Sequence, residues 1–389
     1  MLQPDSIPLS LYLHLPWCVR KCPYCDFNSY TMGDDAPRER YIDSLLLDID
    51  AEAERVQGRE LTSVFLGGGT PSVFSPGQVA RLIDRIGARF QVGTDIEVTM
   101  EANPGTVECG DPSGYRAAGV NRLSIGAQSF SDESLQQLGR IHTVEDIRCA
   151  VIEAREAGFD NINIDVMFGL PGQGVTAALI DLERAGQLEP NHLSWYQLTL
   201  EPNTVFHSRP PANLPDDEKC WEIQLEGQAL LGELGYEQYE VSAWARDGAR
   251  CRHNTNYWTF GDYLAAGAGA HGKITSSEGV WRYSKPANPK QYMDAMETDP
   301  RPVELRRVEE SDCLFEFMLN TLRLHDVFDA DVFAARTGLP VALLRNRLEA
   351  SIDKGLLETT GRESWQVTRL GRRFLNDLQA EFLPDSPMV

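Results

Sequence analysis

The stretch SLYLHLPWCVRKCPYC (10–25) decides the fold. Its first seven residues form an apolar run of the kind found in buried parallel strands. Cys18, Cys22 and Cys25 follow that run, separated by three and then two residues. In a parallel barrel, the loops after the carboxyl ends of the strands build the active site. We therefore predict a barrel strand that leads into a site formed by three thiols.

The three thiols point to an iron–sulfur cluster. Thiolates at this spacing can bind three irons of a [4Fe–4S] cluster and leave the fourth iron without a protein ligand. Zinc is the second interpretation, but a zinc site usually has four ligands and no fourth cysteine lies nearby. His14 is close in sequence, but strand alternation places it on the same face as Tyr12. Three buried or redox-active cysteines are the third interpretation.

The rest of the chain up to residue 205 predicts a partial barrel. Further apolar runs alternate with helical patterns, and this rhythm is typical of a parallel sheet with helices outside it. Ser75 and Thr143 each begin a helix, the first with a capping-box pattern. Six such units predict an α/β fold, a partial (β/α)6 TIM-like barrel. The five later runs are SVFLGGG (63–69), IEVTMEANP (96–104), RLSIGAQSF (122–130), NINIDVMFGLPG (161–172) and HLSWYQLTLE (192–201).

The chain has 389 residues, which favours two or three domains. We predict the barrel over 1–205, an α+β extension over 206–304 and a C-terminal winged-helix-like domain over 305–389. The last has three helical patterns and a short extended piece, SWQVT (364–368). Such modules often bind DNA, but here a packing domain or a lid is favoured, because the chain is acidic.

The charge excludes several functions. Lys and Arg number 36 and Asp and Glu 58, so the formal charge is −22. That charge repels phosphate backbones and anionic membranes, so we expect no nucleic-acid partner. No apolar run is long enough to span a membrane, and MLQPDSIPLS lacks the features of a secretory signal. The scattered cysteines beyond the cluster do not form a disulfide framework, which predicts a cytoplasmic protein.

Polar groups stand at successive strand ends of the predicted barrel. The turn Gly67–Pro71 follows the second strand, and its glycines let the backbone approach a ligand. Glu101 ends the third strand and can accept hydrogen bonds from ribose hydroxyls. Gln128 ends the fourth, Asp165 lies on the fifth, and Arg140 can pair with a carboxylate. Each has an ordinary structural explanation alone, but together they indicate a site.

The spacing C-x3-C-x2-C is the signature of the radical S-adenosylmethionine (SAM) proteins, which this chain resembles. In that family SAM binds the free iron of the cluster, and electron transfer yields a 5′-deoxyadenosyl radical. The whole chain resembles the coproporphyrinogen-III-oxidase-like group, and within it the heme-chaperone branch. The matching stretches are 14–30, 65–72, 100–108, 121–130, 138–143, 168–173, 193–204 and 253–258.

The resemblance implies the roles of individual residues. It implies cluster ligation by Cys18, Cys22 and Cys25, with Tyr24 near the adenine ring of SAM. The implied SAM contacts are Tyr12, Tyr24, Gly68, Gly69, Thr70, Glu101, Gln128, Arg140 and Asp165.

Two features distinguish the chaperone branch from the true oxidases. The oxidases carry a further cysteine two residues after the third cluster ligand, where this chain has Phe27, and they have a long extension before the first strand. The segment HNTNYW (253–258) resembles the HNxxYW heme-binding motif of the chaperone branch. Imidazole can bind heme iron, and aromatic rings offer flat faces to a porphyrin. The implied heme contacts are His253, Asn254, Tyr257 and Trp258, with Cys251 and His271 as weaker candidates.

Two functions are therefore compared. The first is a heme chaperone that carries a [4Fe–4S] cluster and SAM and transfers heme to apo-hemoproteins, such as respiratory or iron-storage heme proteins. The second is an oxygen-independent coproporphyrinogen III dehydrogenase. Phe27 and HNTNYW favour the chaperone without oxidase activity; a different radical SAM reaction such as methylation is the weakest interpretation. A homodimer and peripheral membrane association through a partner protein both stay open.

Overall fold

The computed structural model describes residues 2–56, 58–105, 110–301 and 304–384. Cys109 and the end of the stretch 100–108 lie outside the described residues. Most strands belong to one 12-stranded sheet, in which strands from the barrel and the extension alternate with helices along the chain.

Six parallel neighbours form the barrel wall. Each strand pairs in parallel with the next, as the sequence predicts. The wall stays open, because antiparallel strands extend the sheet at both edges. The six strands are β1 (Leu9–Leu15), β2 (Glu60–Gly68), β3 (Gln91–Ala102), β4 (Arg122–Gln128), β5 (Asn161–Phe168) and β6 (His192–Gln197).

The extension completes both edges of this sheet. At one edge lie β7 (Glu237–Glu240) and β8 (Ala243–Ala245), with β8 antiparallel to β6. At the other edge β9 (Asp262–Ala266) pairs in parallel with β1, which gives the barrel a seventh parallel strand. An antiparallel meander follows it: β10 (His271–Ser276), β11 (Gly279–Ser284) and β12 (Glu304–Arg307).

Strand alternation separates two faces of the wall. In β1, Leu9, Leu11 and Leu13 are at most 1% exposed and belong to the apolar core between sheet and helices. Tyr12 and His14 alternate with them on the inner face, and the Tyr12 hydroxyl lies 3.1 Å from His14 Nδ1. The helices outside the barrel therefore bury the apolar face, while polar side chains point into the lumen.

The helices begin where the sequence predicts. Ser75 and Thr143 both form capping boxes, with Gln78 and Asp146 as the reciprocal partners. The helices of the barrel and the extension are α1 (Arg38–Arg55), α2 (Pro76–Arg89), α3 (Pro112–Ala117), α4 (Asp132–Gln137), α5 (Val144–Glu156), α6 (Val175–Gln187), α7 (Val205–Ser208), α8 (Asp217–Glu233), α9 (Arg252–Trp258) and α10 (Pro289–Thr298).

The C-terminal part forms a winged-helix-like module. Helices α11 (Glu310–Thr321), α12 (Ala330–Thr337) and α13 (Val341–Asp353) precede an antiparallel hairpin of β14 (Leu357–Gly361) and β15 (Ser364–Val367). A short third strand, β13 (Phe328–Asp329), lies beside β15. Two short helices, Arg369–Arg373 and Leu375–Ala380, end the module. In the described part of the chain, every helix is too short or too polar to cross a membrane.

Candidate functional site

A cavity of about 340 Å³ opens at the carboxyl ends of the barrel strands and reaches down into the lumen. Its walls bring together most of the residues that the sequence singles out. Those residues are Cys18, Cys22, Tyr24, Cys25, Gly68, Gly69, Thr70, Glu101, Gln128, Arg140, Asp165 and Asn254.

The cysteine loop is closed by backbone contacts. Cys18 ends the two-residue strand Trp17–Cys18, which pairs in parallel with Tyr30–Thr31. Lys21 Nζ donates to the carbonyl oxygens of Phe27 (3.1 Å) and Ser29 (3.0 Å). Among the described residues, no three His, Cys, Asp or Glu side chains are arranged around a single metal ion. A zinc site needs such convergence, whereas a cubane takes each thiolate on a different iron.

Arg140 links the cysteine loop to the barrel wall. Its Nη1 atom lies 3.5 Å from Cys22 Sγ. Its Nη2 atom donates to Asn103 Oδ1 (2.7 Å) and to the carbonyl oxygen of Gly126 (2.9 Å). The guanidinium is therefore fixed beside a cysteine sulfur at the mouth of the cavity.

Two carboxyl groups face the cavity opposite the thiols. Glu101 Oε2 accepts the backbone N–H of Gly68 (3.1 Å), and Asp165 Oδ1 accepts from Asn163 (2.8 Å). Burial, together with the nearby charge of Asp165, raises the pKa of Glu101 to about 7. Burial also raises the pKa of Asp165. The pair gains stability as carboxylates when a cation enters the cavity.

The remaining mouth residues are held by their neighbours. Gln128 has a positive φ of 70°, and its Oε1 accepts from the Tyr196 hydroxyl (2.7 Å). Thr70 accepts from Asn103 (3.0 Å). Gly68 has φ 115°, and a Cβ there would lie 2.5 Å from the His14 ring, so this turn requires glycine.

Tyr12 lies beside the cavity instead of on its described lining. Its ring stacks on Phe65 at 6.2 Å and lies 6.4 Å from the ring of His253. Phe65 itself lines the cavity. The implied contact between Tyr12 and SAM therefore remains a prediction.

The HNTNYW segment forms α9, which enters the barrel lumen. His253 is 1% exposed. Its Nδ1 lies 3.0 Å from Ser63 Oγ, and its Nε2 lies 3.0 Å from the Tyr257 hydroxyl. Burial lowers the pKa of His253 to about 3, so the ring is neutral. Of the residues in this segment, Asn254 belongs to the described lining of the cavity.

The lumen also contains polar residues that the sequence reasoning missed. They lie along β4, β5 and β6 and line the cavity. The sequence pattern that could have identified them is polar side chains at every second position within the runs predicted as buried strands. Those residues are Arg122, Ser124, Asn163, His192, Ser194 and Tyr196.

Comparisons with known proteins agree with this architecture. The Radical SAM superfamily matches residues 12–178, and the HemN C-terminal domain matches residues 308–374. The heme chaperone HemW of Escherichia coli is 47% identical over 379 residues, which are 97% of this chain and 99% of that protein. The HemW of Haemophilus influenzae is 46% identical over 98% of this chain and 100% of its own.

The chain belongs to the HemW family. Among solved structures, coproporphyrinogen III oxidase (HemN) from Escherichia coli, described as a radical SAM enzyme, is similar with a TM-score of 0.82. It is 26% identical, and the match covers 97% of this chain and 90% of that one. The predicted partial barrel with a C-terminal winged-helix-like domain is thereby confirmed for this member of the HemW family.

The described residues fit the two groups that the radical SAM family implies, a [4Fe–4S] cluster and SAM. Cys18, Cys22 and Cys25 bring three thiols, outside any disulfide, to the mouth of one cavity. SAM carries a positive sulfonium, and Glu101 and Asp165 supply two buried carboxyl groups that face the same cavity. When bound, the pair supplies one-electron chemistry. The chain's own part is to hold both groups and shape the cavity beside them.

Proposed function

We propose that this chain is a heme chaperone, which binds heme and transfers it to apo-hemoproteins. It carries a [4Fe–4S] cluster on Cys18, Cys22 and Cys25, and SAM in the adjoining cavity. Respiratory and iron-storage heme proteins are the proposed acceptors. The protein acts in the cytoplasm, as a homodimer that reaches membranes through a partner protein.

One observation carries the proposal: identity of 47% with a heme chaperone HemW across nearly the full length of both chains. Such a relation covers the thiol loop, the barrel wall and the HNTNYW segment together. It supports a shared function more strongly than any single motif. The division into a barrel (1–205), an extension (206–304) and a C-terminal domain (305–389) belongs to the same proposal.

The proposed heme ligand is His253, with Asn254, Tyr257 and Trp258 around the porphyrin. Because both ring nitrogens of His253 are engaged inside the lumen, ligation requires α9 to move and the contact with Ser63 to break. His271 offers a second route, since it is exposed at the start of β10. Cys251 is fully buried, and burial raises the pKa of its thiol to about 12, which disfavours the thiolate that would bind iron.

Coproporphyrinogen III oxidation is the second candidate, and the likeness to the HemN structure favours it. Phe27 stands against it. Its side chain is 59% exposed and lines the cavity beside the thiol loop. The oxidases that this chain resembles have a cysteine there. An apolar ring at this point offers a surface for a flat ligand and no further thiol.

The test uses the full chain, reconstituted anaerobically with its cluster and titrated with hemin. His253→Gln, His271→Gln and Cys251→Ser are compared with wild type by the intensity of the Soret band. We expect stoichiometric binding that weakens in His253→Gln and persists in the other two. Loss of the Soret band in His271→Gln alone would identify His271 on β10 as the heme ligand instead.

The same samples are incubated with coproporphyrinogen III, SAM and a reductant. Formation of protoporphyrinogen without saturable heme binding would overturn the chaperone proposal in favour of the oxidase. Transfer of bound heme to an apo-hemoprotein, followed by the acceptor's own absorption, would support the chaperone.

A further inference from the structure

Arg122 is a buried arginine with one unpaired side-chain N–H in the described structure. It is 2% exposed, yet it lines the cavity in the barrel lumen. Its Nε atom is buried and has no hydrogen-bond partner among the described residues. A guanidinium taken out of water without compensating contacts is costly. Such a group points to a ligand.

The acids nearest to Arg122 already serve other donors. Glu97 accepts the backbone N–H groups of Arg252 and His253, each at 3.1 Å, and so caps the start of α9. Asp165 accepts from Asn163 and from Ser124, the latter at 3.3 Å. The charges of Glu97 and Asp165 act on the guanidinium, but neither acid forms an ion pair with it. The guanidinium also lines the cavity, where a ligand can reach it.

This position differs from that of the proposed SAM contacts. Arg122 is the first residue of β4, and Gln128, a proposed SAM contact, is the last. The parallel register aligns Arg122 with Thr99 on β3 and Asn161 on β5, at the amino ends of the paired segments. Arg122 therefore belongs to the floor of the lumen, whereas the thiols lie at its mouth.

We propose that the floor of the barrel lumen binds a carboxylate group through Arg122, which lines the cavity there. The two terminal nitrogens of arginine form a planar fork that matches the two oxygens of a carboxylate. The carboxylate group that meets this fork carries one negative charge. A phosphate dianion concentrates two charges at that point and fits less well, because the charges of Glu97 and Asp165 already act there.

Two sources can supply this carboxylate. One is a small free acid that fills the floor beneath SAM. The other is an acidic arm of a larger ligand, such as a propionate of the tetrapyrrole in the proposed function. The chemistry at Arg122 is the same in both cases. Different probes separate them.

The experiment uses the reconstituted full chain saturated with SAM. Calorimetry measures the affinity for succinate and for its neutral counterpart succinamide in wild type, Arg122→Met, Arg122→Lys and a control, Arg148→Met. Arg148 is an exposed arginine on α5. A second series compares hemin with hemin dimethyl ester in the same proteins. Cluster absorbance and SAM binding show that each variant is folded.

We expect wild type to prefer the acid over its neutral counterpart by about tenfold or more, as charged hydrogen bonds allow, in at least one of the two series. Arg122→Met should abolish that preference, Arg122→Lys should keep part of it, and Arg148→Met should not alter it. Preference in the succinate series alone identifies a free acid. Preference in the hemin series alone identifies a propionate arm.

Equal affinity for acid and neutral probe in both series would overturn the proposal. The alternative would then be that ordered water solvates Arg122. A preference that survives in Arg122→Met would overturn it as well. Failure of hemin to bind wild type at all would sink the proposed chaperone function instead. The succinate series would then decide the role of Arg122 alone.

Discussion

Arg140 Nη1 lies 3.5 Å from Cys22 Sγ, although 118 positions separate the two residues in the chain. The contact joins the loop after β1 to the segment after α4. It places a permanent positive charge next to a sulfur that is proposed to ligate the cluster. Positive charge near a cluster favours its reduced form, because reduction adds negative charge. The geometry therefore predicts that Arg140, which lies outside the cysteine motif, affects how readily the cluster is reduced.

Replacement of Arg140 by methionine should make the cluster harder to reduce. We expect a more negative midpoint potential in an anaerobic redox titration followed by electron paramagnetic resonance. SAM affinity should fall about tenfold if a charge-assisted hydrogen bond to the ligand is lost. Arg140→Lys should lower the midpoint potential less than Arg140→Met does. The exposed Arg148→Met should have the midpoint potential of wild type. An unchanged potential in Arg140→Met would show that the charge does not act on the cluster.

Glu101 should make SAM binding depend on pH. Its pKa is raised to about 7 by burial and by the charge of Asp165, so it is protonated below that pH and a carboxylate above it. Because SAM is a cation at its sulfonium, affinity should rise with pH, by at most about tenfold per pH unit below pH 7. The measurement is the SAM dissociation constant between pH 5.5 and pH 8.5, a range chosen to span about one and a half units on each side of that value.

Glu101→Gln should remove this slope, while the exposed Glu133→Gln should retain it. Stability has the opposite sign. The folded pKa lies above the ordinary value for glutamate, so the folded state binds more protons between the two values and stability without SAM falls as pH rises through that window. A wild-type profile as flat as that of Glu101→Gln would mean that Glu101 binds SAM without titrating.

Much of the barrel and its mouth could be predicted, because both follow from local patterns. Short apolar runs place the strands, and a loop after a strand's carboxyl end places Cys18, Cys22 and Cys25 at the mouth. Glu101 and Gln128 are near strand ends in the sequence and therefore reach the same cavity. Short-range rules suffice wherever chain neighbours are also neighbours in the sheet.

The rest depends on contacts between distant parts of the chain. Asp262 pairs with Leu9 across 253 positions, so no local sequence pattern predicts that β9 becomes the seventh parallel strand. The sequence of HNTNYW resembles a binding motif but does not predict its helix, which Glu97 on β3 caps inside the lumen. Arg122 was read as part of a buried strand. Its inward direction emerges only when β3 and β5 fix the register on both sides.

The buried ion pairs of Lys285 should contribute more to stability than surface pairs. Lys285 Nζ lies 2.6 Å from Asp48 and 2.8 Å from Glu52, and all three side chains are fully buried. The pairs join α1 to the chain after β11. Lys285→Met leaves Asp48 without its cation and Glu52 with Arg55 alone, at 3.4 Å, which should cost about 3–5 kcal/mol in the free energy of unfolding.

Chemical denaturation of the full chain measures that loss. The matched control is Arg40→Met, since Arg40 also pairs with two acids of the same region, Asp294 and Glu297, but at the surface. The control should change stability little, because exposed pairs are screened by water and salt. Equal losses in the two variants would contradict the assignment of the buried network as the stronger link.

Two glycines of α8 should respond oppositely to alanine. A Cβ on Gly227 would lie 2.1 Å from the ring of Trp195, which is 3% exposed on β6. A Cβ on Gly232 meets nothing within 4 Å among the described residues. Gly227→Ala should therefore push the helix from the sheet and destabilise the fold by about 1–3 kcal/mol, as overpacking does. Gly232→Ala should stabilise it by up to about 1 kcal/mol through helix propensity.

Denaturant midpoints of both variants against wild type provide the comparison, and a loss of similar size in both would refute the close packing of α8 on Trp195.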